Sequence, residues 1–210
     1  MKLTSTSFQH DQAIPEQFAF AAPDPILHIH LTDNHNPQLK WSGAPAATRS
    51  FALICVDPDV PSKPDDVNQE GKTVPADLPR TDFYHWVMVD IPANVTEIGA
   101  GACSKGIVAG GKQELGGPSG SRQGVNDYTG WFASDPDTKG TYRGYDGPCP
   151  PWNDSLLHHY HFTVYALSSD RVPVEGDFTA AQVLQAIRPH ILEQATLTGT
   201  YSLNPQLKKK

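Results

Sequence analysis

Three short runs of apolar and aromatic residues constrain the fold of this chain more than any other feature. They read FALICV at 51–56, FYHWVMVDI at 83–91 and HHYHFTVYAL at 158–167. The first run is followed by Asp57-Pro58 and the second by Pro92. Short apolar runs that end at proline predict buried strands rather than helices. Weaker strand candidates lie at 18–20 and 27–31, and the final TLTGTYSL also has strand character.

One helix is predicted near the C-terminus. Thr179 can cap it, and AAQVLQAIRPHILEQA follows at 180–195 with apolar residues at helical spacing. Pro189 lies inside this pattern and predicts a kink or two helical pieces. Many strands and one late helix indicate a mainly β fold with antiparallel pairing.

Composition limits the classes of protein to which this chain can belong. A length of 210 residues suits one domain over 1–210, and 17 glycines with 19 prolines argue against a helical bundle. The net charge of −7 excludes a general nucleic-acid binder, which needs dense positive charge. The sequence contains no run of 18 apolar residues, so membrane insertion is not predicted. Without a signal peptide, and with three widely spaced cysteines, the chain is expected in the cytoplasm.

Two long irregular segments are predicted to be loops rather than linkers. They cover 60–82 and 101–155, and loops of this length inside one domain are usually functional. The second segment contains aromatic residues that give a loop something to pack against: Tyr128, Trp131, Phe132, Tyr142 and Tyr145. The three lysines at 208–210 are expected to form a solvated end.

Strand alternation places polar side chains at the ends of core-facing rows. In the third run, His158 and Tyr160 precede apolar residues on the same face, and in the first run the apolar row leads to Asp57. In the second run, the row that contains a histidine consists of Phe83, His85, Val87 and Val89. If the three strands are neighbours, these polar ends converge in one small pocket.

Several motifs in chain order resemble the phosphatidylethanolamine-binding protein family, and most of all its bacterial and archaeal, Raf-kinase-inhibitor-like branch. The motifs are DPDVPS at 57–62, HWV at 85–87, GPCPP at 147–151 and HHY at 158–160, with NPQLKW at 36–41 and GTYS at 199–202. The resemblance implies a large antiparallel Greek-key sheet packed on a smaller sheet, with helix near the C-terminus. It also implies a small anion pocket at one end of the fold.

The resemblance further implies which residues line that pocket: Asp57, Asp59, Pro61, His85, Gly147, Pro148, His158 and Tyr160. We therefore expect a non-enzymatic protein, without cofactor or metal, that binds a phosphate-bearing small molecule or a lipid head group. Histidines beside a carboxylate, a tyrosine hydroxyl and a glycine N–H can donate to phosphate oxygens. Anion affinity should then weaken as the pH rises through the histidine pKa. Regulation of a partner kinase or protease is also implied, and a homodimer is left open.

This chain departs from the family pattern in ways that bear on the ligand. His159 stands between His158 and Tyr160, where the family commonly has arginine, and the segments 63–82 and 125–146 are longer than the smallest members need. These segments could cover the pocket and change what fits.

Two other functions compete with ligand binding. A hydrolase could use the same His/Asp pocket, although the chain has no G-x-S-x-G and no HExxH motif. A metal site could use His158, His159 and His161, but alternation puts only His159 and His161 on one face of the strand.

Overall fold

The computed structural model describes residues 1–207, and the three lysines at 208–210 lie outside this range. Within it, two α-helices, α1 (Tyr128–Trp131) and α2 (Ala180–Ile187), accompany eleven strands. The strands are β1 (Lys2–Thr4), β2 (Gln12–Ala13), β3 (Ala21–Asp24), β4 (His28–Leu31), β5 (Leu39–Ser42), β6 (Ser50–Pro61), β7 (Arg80–Pro92), β8 (Glu97–Ile98), β9 (Arg122–Gln123), β10 (His158–Leu167) and β11 (Ile191–Tyr201).

A six-stranded sheet forms the centre of the fold, in the order β2-β11-β10-β6-β7-β9. Its pairs are antiparallel except for the short β2, which runs parallel to β11. Strand β10 pairs with β6 on the side opposite β7, so the chain between β7 and β10 returns across the sheet in a Greek-key manner. The predicted mainly β fold is confirmed.

Each face of the large sheet is covered by a different layer. The three-stranded sheet β1-β5-β8 contributes Leu39 and Trp41 to a core shared with apolar side chains of β6, β7 and β10. On the opposite face, Val183 and Ile187 of α2 pack against Ala52, Ile54, Val87 and Val89. In a separate two-stranded sheet, β3-β4, Ala21 belongs to the first of these cores and Ile29 packs against it. No helix within residues 1–207 is both long and apolar enough to cross a bilayer.

A β-bulge at His85 overturns one prediction from strand alternation. Cys55 pairs with Trp86 and Val56 pairs with Tyr84, so His85 is an extra residue in β7. The bulge shifts the side-chain alternation by one residue. Consequently Val87 and Val89 face α2, and not the face on which His85 lies, as the uninterrupted row had predicted.

The two central strands are longer than their apolar runs. Strand β6 continues through DPDVP to Pro61, and β7 begins at Arg80, so the loop expected at 60–82 covers only 62–79. Proline is tolerated here because the ladder between β6 and β7 is irregular between Asp57 and Val60. The segment 101–155 likewise contains β9 and α1 rather than loop alone.

The C-terminal helix begins as predicted and ends earlier. Thr179 caps α2 in a capping box with Gln182, and Pro189 lies in the 3-10 turn Arg188–His190 that follows. The chain then enters β11 at Ile191, so the last five residues of the predicted helix are strand. The predicted strand at 18–20 is also absent, because the 3-10 turn Glu16–Phe18 occupies its start.

Candidate functional site

A cavity of about 680 Å³ lies at the end of β6, β7 and β10. These strands contribute Asp57, His85 and Tyr160, while the loop 62–79, the β3-β4 hairpin and the segment around α1 supply the other walls. Pro61 also lines the cavity. The structure therefore brings together side chains from all three of the apolar runs that the sequence singles out.

Most of the cavity wall is apolar and aromatic. Phe20 stacks on Tyr128 with ring centroids 4.7 Å apart, and Phe132 stacks on Tyr128 at 5.8 Å. Phe83 meets Tyr128 edge-on at 5.2 Å. Three aromatic residues of the segment 101–155, Tyr128, Phe132 and Tyr142, thus pack into one cluster that forms a wall of the cavity, whereas Tyr145 belongs to the main core. Sequence reasoning noticed these aromatics as packing residues but did not assign them to the site.

His85 is held in a defined orientation at the polar end of the cavity. Its Nδ1 lies 2.7 Å from the backbone carbonyl oxygen of Asp146, which can only accept a hydrogen bond. The proton of the neutral ring therefore resides on Nδ1, and Nε2 keeps a lone pair. Burial lowers the pKa of His85, against the opposing effect of the Asp57 carboxylate. Nε2 forms no hydrogen bond with any described residue and is the nitrogen left for a ligand.

A buried ion pair fixes the loop that orients His85. The Asp146 carboxylate accepts hydrogen bonds from Lys112, Asn34 and Asn126 at 2.5, 2.7 and 2.8 Å. All four side chains are buried. Because three distant segments hold Asp146, the carbonyl group that bonds to His85 has little freedom to move.

The hydroxyl group of Tyr160 is buried beside the Asp57 carboxylate. The ring lies edge-on to His85 with centroids 5.1 Å apart, and its Oη forms no hydrogen bond of normal geometry within residues 1–207. Burial, reinforced by the nearby Asp57 carboxylate, raises the pKa of Tyr160 well above its usual range, so the group stays a neutral O–H. The Tyr160 side chain lines the cavity next to Asp57.

His158 lies behind Asp57 and does not line the cavity. Its Nδ1 lies 2.7 Å from Asp57 Oδ2 and its Nε2 lies 3.1 Å from Asp154 Oδ2, so both ring nitrogens donate to carboxylates. Arg80 binds the same Asp154 carboxylate at 2.5 and 3.1 Å. Burial lowers the pKa of His158, but the two carboxylates outweigh it and raise the pKa to about 9. His158 is therefore a fixed cation at neutral pH.

Asp59 is also engaged outside the cavity. Its carboxylate accepts hydrogen bonds from the backbone N–H of His159 and from His159 Nδ1, both at 2.8 Å. The histidine that replaces the family's usual arginine thus pairs with Asp59 on a partly exposed surface.

Gly147 and Pro148 contact neighbouring segments of this same chain and do not line the cavity. The Gly147 N–H donates to Asn34 Oδ1 at 2.8 Å, and its carbonyl accepts the Tyr128 hydroxyl at 2.7 Å. A Cβ at position 147 would lie 2.2 Å from the carbonyl oxygen of Phe18, so only glycine fits this close approach. The expected role of the Gly147 N–H as a ligand donor is wrong, because that donor is already used. The cavity is lined instead by the next three residues, Cys149, Pro150 and Pro151.

The structure thus divides the eight predicted site residues into two groups. Asp57, Pro61, His85 and Tyr160 line the cavity, whereas Asp59, Gly147, Pro148 and His158 do not. Sequence reasoning missed Asp154, which binds His158, and Arg80, which binds the same Asp154 carboxylate. They lie in segments read as loop, and no periodic pattern marks them.

A contact between two covering segments closes one side of the cavity. His28, in the β3-β4 hairpin, stacks on Trp152 with centroids 3.8 Å apart, and its Nε2 lies 2.6 Å from Glu70 in the loop 62–79. Ile29 and Leu31 of the same hairpin line the cavity. The hairpin and the loop are therefore joined at the rim.

Fold and site together define a mainly β protein with a cavity at one end of its large sheet. The family model for phosphatidylethanolamine-binding protein matches residues 4–202. The chain therefore belongs to the phosphatidylethanolamine-binding protein family, as the motifs had indicated.

Relatives from bacteria and archaea agree with this assignment. The chain is 31% identical over 170 residues to the UPF0098 protein YbcL of Escherichia coli (strain K12), which is 81% of this chain and 73% of YbcL. A UPF0098 protein of Methanothermobacter thermautotrophicus is 34% identical over 169 residues, covering 80% of this chain and 83% of that protein.

Solved structures share the fold. The crystal structure of E. coli YbcL, described as a new member of the mammalian PEBP family, superposes with a TM-score of 0.68 at 27% identity and covers 96% of this chain and 97% of YbcL. A homologue from Chlamydia trachomatis has a TM-score of 0.64 at 26% identity, with 96% of each chain covered.

Proposed function

We propose that this protein binds, without chemical turnover, a small phosphate-bearing molecule or a phospholipid head group. The observation that carries this proposal is the set of polar groups at the end of the cavity. His85 Nε2 has no protein partner there, and Asp57 and Tyr160 lie beside it. Buried polar groups without partners are costly unless a ligand or water satisfies them.

The charge around Asp57 is balanced, which favours this proposal over a purely cationic ligand. Asp57 and Asp154 carry two negative charges, and His158 and Arg80 offset them at hydrogen-bond distance. A phosphate near Asp57 therefore does not meet an uncompensated carboxylate.

One shared proton can form a hydrogen bond between a phosphate ester and the Nε2 atom of His85. The second pKa of a phosphate monoester is about 6, and its monoanion carries a P–OH group that can donate to Nε2. The alternative arrangement is a phosphate dianion bound to a protonated His85, and this complex contains the same total number of protons as the first. Tyr160 donates a further hydrogen bond from its neutral hydroxyl. Because free His85 is neutral above its lowered pKa, binding at higher pH must take up this proton.

Calorimetric titration with phosphoethanolamine and with inorganic phosphate tests the proposal. For phosphoethanolamine at pH 7.5, in two buffers of different ionisation enthalpy, binding should take up close to one proton, and uptake should fall towards zero at pH 5.5. The affinity for phosphoethanolamine should drop roughly tenfold per pH unit above about pH 6.5. Saturable binding with no proton uptake, or no binding by either probe, would contradict it.

The hydrolase alternative has a separate test. His85 Nε2 is an unprotonated base in the cavity, so it could activate a water molecule. The one cysteine in the lining, Cys149, is a poor nucleophile because burial raises the pKa of its thiol to about 12. Turnover of p-nitrophenyl phosphate or acetate that His85→Leu abolishes would establish an enzyme and overturn the binding-only proposal.

We also propose a cytoplasmic location. Cys55, Cys103 and Cys149 are free thiols, and buried free thiols are typical of proteins in reducing compartments. Fractionation of cells that express the tagged protein checks this expectation.

A further inference from the structure

We propose that the β3-β4 hairpin is a flap over the cavity and that His28 is its latch, which holds more firmly when the imidazole ring is protonated. The flap controls the access of any molecule that enters the cavity, whatever its chemistry. This inference therefore goes beyond the proposed function, because it concerns how the cavity opens and not what the cavity binds.

The first observation is that the hairpin is anchored at its base. The N–H groups of Phe20 and Ala21 donate to the carbonyl oxygen of Pro148 at 2.9 and 3.4 Å. The Tyr201 hydroxyl donates to the Ala21 carbonyl at 2.8 Å, and on the other strand the Thr32 N–H donates to the Phe20 carbonyl at 3.2 Å. Because these bonds lie at one end of the hairpin, a movement of its tip pivots about the base and leaves the β3-β4 ladder intact.

The second observation is that one residue holds the tip. Among residues 24–31, His28 alone forms a hydrogen bond or a ring contact with a part of the described chain outside the hairpin. Its ring stacks on Trp152 with the two planes 7° apart, and its Nε2 bonds to Glu70 Oε1. Ile29 and Leu31, which follow in β4, line the cavity. Release of His28 therefore leaves this wall of the cavity held only by apolar contacts, such as that of Ile29 with the main core.

The third observation is that the surface that receives His28 is rigid. The buried Asn153 donates from Nδ2 to the Asp66 carbonyl at 2.8 Å, and its Oδ1 accepts the N–H of Asn68 at 2.9 Å. Asn68 Oδ1 in turn accepts the Trp152 N–H at 3.0 Å. These bonds tie the loop 62–79 to Trp152, so Trp152 and Glu70 form one support from which the hairpin tip can separate.

The groups around His28 favour its protonated form. Asp24 is its partner in the β3-β4 ladder and interacts with its charge, and Glu70 faces it from the loop 62–79. The third segment presents the aromatic face of Trp152, and His30 is the other titratable residue of the hairpin. A cation is attracted both to a carboxylate and to the face of an indole ring. Since histidines change charge between about pH 5 and 8, the latch tightens as the pH falls through this range.

The reaction of Cys149 with N-ethylmaleimide measures opening of the cavity without any ligand. Cys149 lines the cavity and is partly exposed, whereas Cys55 and Cys103 are buried, and peptide mapping by mass spectrometry identifies the modified thiol. His28→Asn removes the ring and its charge, and asparagine tolerates the φ of 67° at this position. His30→Asn is the matched control, because His30 is exposed and has no hydrogen bond or ring contact within residues 1–207.

The expected effect depends on pH. At pH 6, Cys149 of His28→Asn should react about tenfold faster than that of the wild type, which is the factor that a cation–π contact and an exposed ion pair provide together. At pH 8 the ratio should fall to about two- to threefold, because the wild-type ring is then neutral. The ionisation of the thiol cancels when rates are compared at one pH. His30→Asn should react at the wild-type rate at both pH values.

A second variant tests the latch from the other side. The Glu70 side chain is 81% exposed, so Glu70→Gln removes the charge without disturbing a packed residue. The reaction of Cys149 should become about two- to threefold faster at pH 6 and stay unchanged at pH 8. This variant keeps the test decisive if His28→Asn lowers the stability of the protein.

The outcomes are independent of the proposed function, because no ligand takes part. Wild-type rates in both His28→Asn and Glu70→Gln would show that His28 is not a latch. A rise of equal size at pH 6 and pH 8, or one that His30→Asn reproduces, would overturn the role of His28 protonation. Failure of phosphoethanolamine to bind would contradict the proposed function and leave the latch standing.

Discussion

Two buried histidines at the same end of the large sheet have opposite surroundings. His158 is 0% exposed and donates both ring protons to carboxylates, whereas His85 is 3% exposed and has one ring nitrogen without a partner. The pKa of His158 is raised to about 9, and that of His85 is lowered by burial. The comparison separates support from recognition: His158 stabilises the site, and His85 is available to a ligand.

The largest expected effect is the loss of the cluster around His158. Asp154→Ala removes the carboxylate that both His158 and Arg80 contact, and leaves the buried His158 and the partly buried Arg80 without their shared partner. We expect a loss of about 3–5 kcal/mol in the free energy of unfolding, measured by urea denaturation. Asp170→Ala, which breaks the exposed pair with Arg49, is the matched control and should cost less than about 1 kcal/mol. Equal losses in the two variants would remove the distinction between the buried cluster and a surface pair.

The next effect is the pH dependence of stability that His158 contributes. Because its pKa is raised from 6.5 to about 9, the stabilisation is complete below pH 6.5 and is lost as the pH rises through 9. The shift corresponds to a change of the order of 3 kcal/mol in the free energy of unfolding. Urea denaturation of the wild type and of His158→Gln, from pH 6 to 9, should show this slope in the wild type only. The same slope in both proteins would assign it to other groups.

A smaller effect is expected when the free histidine is removed. His85→Leu deletes the ring nitrogen that we assign to the ligand, and affinity for phosphoethanolamine at pH 6 should fall roughly 10- to 100-fold, since a hydrogen bond to a charged group contributes about 1.5–3 kcal/mol. The free energy of unfolding should change by only about 1 kcal/mol, because one hydrogen bond to Asp146 is lost. Stability loss as large as in Asp154→Ala, with affinity unchanged, would reverse the roles of the two histidines.

The smallest effect is predicted for Tyr160→Phe. The hydroxyl forms no hydrogen bond of normal geometry and lies beside Asp57, so its removal should change the free energy of unfolding by less than about 1 kcal/mol. Affinity for phosphoethanolamine should fall about 3- to 10-fold through the loss of one neutral hydrogen bond. Calorimetry and thermal denaturation of the same sample measure both quantities. Destabilisation without any loss of affinity would show that the hydroxyl serves the fold and not the ligand.

The fold and part of the site could be predicted from local patterns. Alternation put Asp57 and Tyr160 at the ends of core-facing rows, and in the structure both line one cavity with His85. Short apolar runs predicted β6, β7 and β10, although β6 extends through Pro58 because the ladder is irregular there. Patterns of this kind depend only on residues that are close together in the chain, so they can be recognised in the sequence alone.

The features of the fold and site that were not predicted depend mostly on contacts between residues that lie far apart in the chain. Gly147 belongs to a matched motif, but its N–H is taken by Asn34, from a loop 113 residues away. The bulge at His85 changes which residues of β7 lie on the same face of the sheet, and no side-chain pattern in the sequence predicts it. Likewise, His158 Nδ1 binds Asp57, which lies 101 residues away in the chain. Asp154 is only four residues from His158, but it lies in an irregular segment where no periodic pattern relates the two side chains. Such contacts exist only once the loops are packed.

The most direct test of the contrast between the two histidines is an NMR titration of the histidine ring nitrogens, with and without phosphoethanolamine. We expect His158 to stay doubly protonated up to about pH 8, in line with its pKa of about 9, and not to respond to the ligand. We expect His85 to be neutral at pH 7, with its proton on Nδ1, and its Nε2 signal to shift as the ligand saturates. If His158 titrates near pH 6.5, or if its signals shift with the ligand while those of His85 stay unchanged, the assignment of support to one histidine and recognition to the other is wrong.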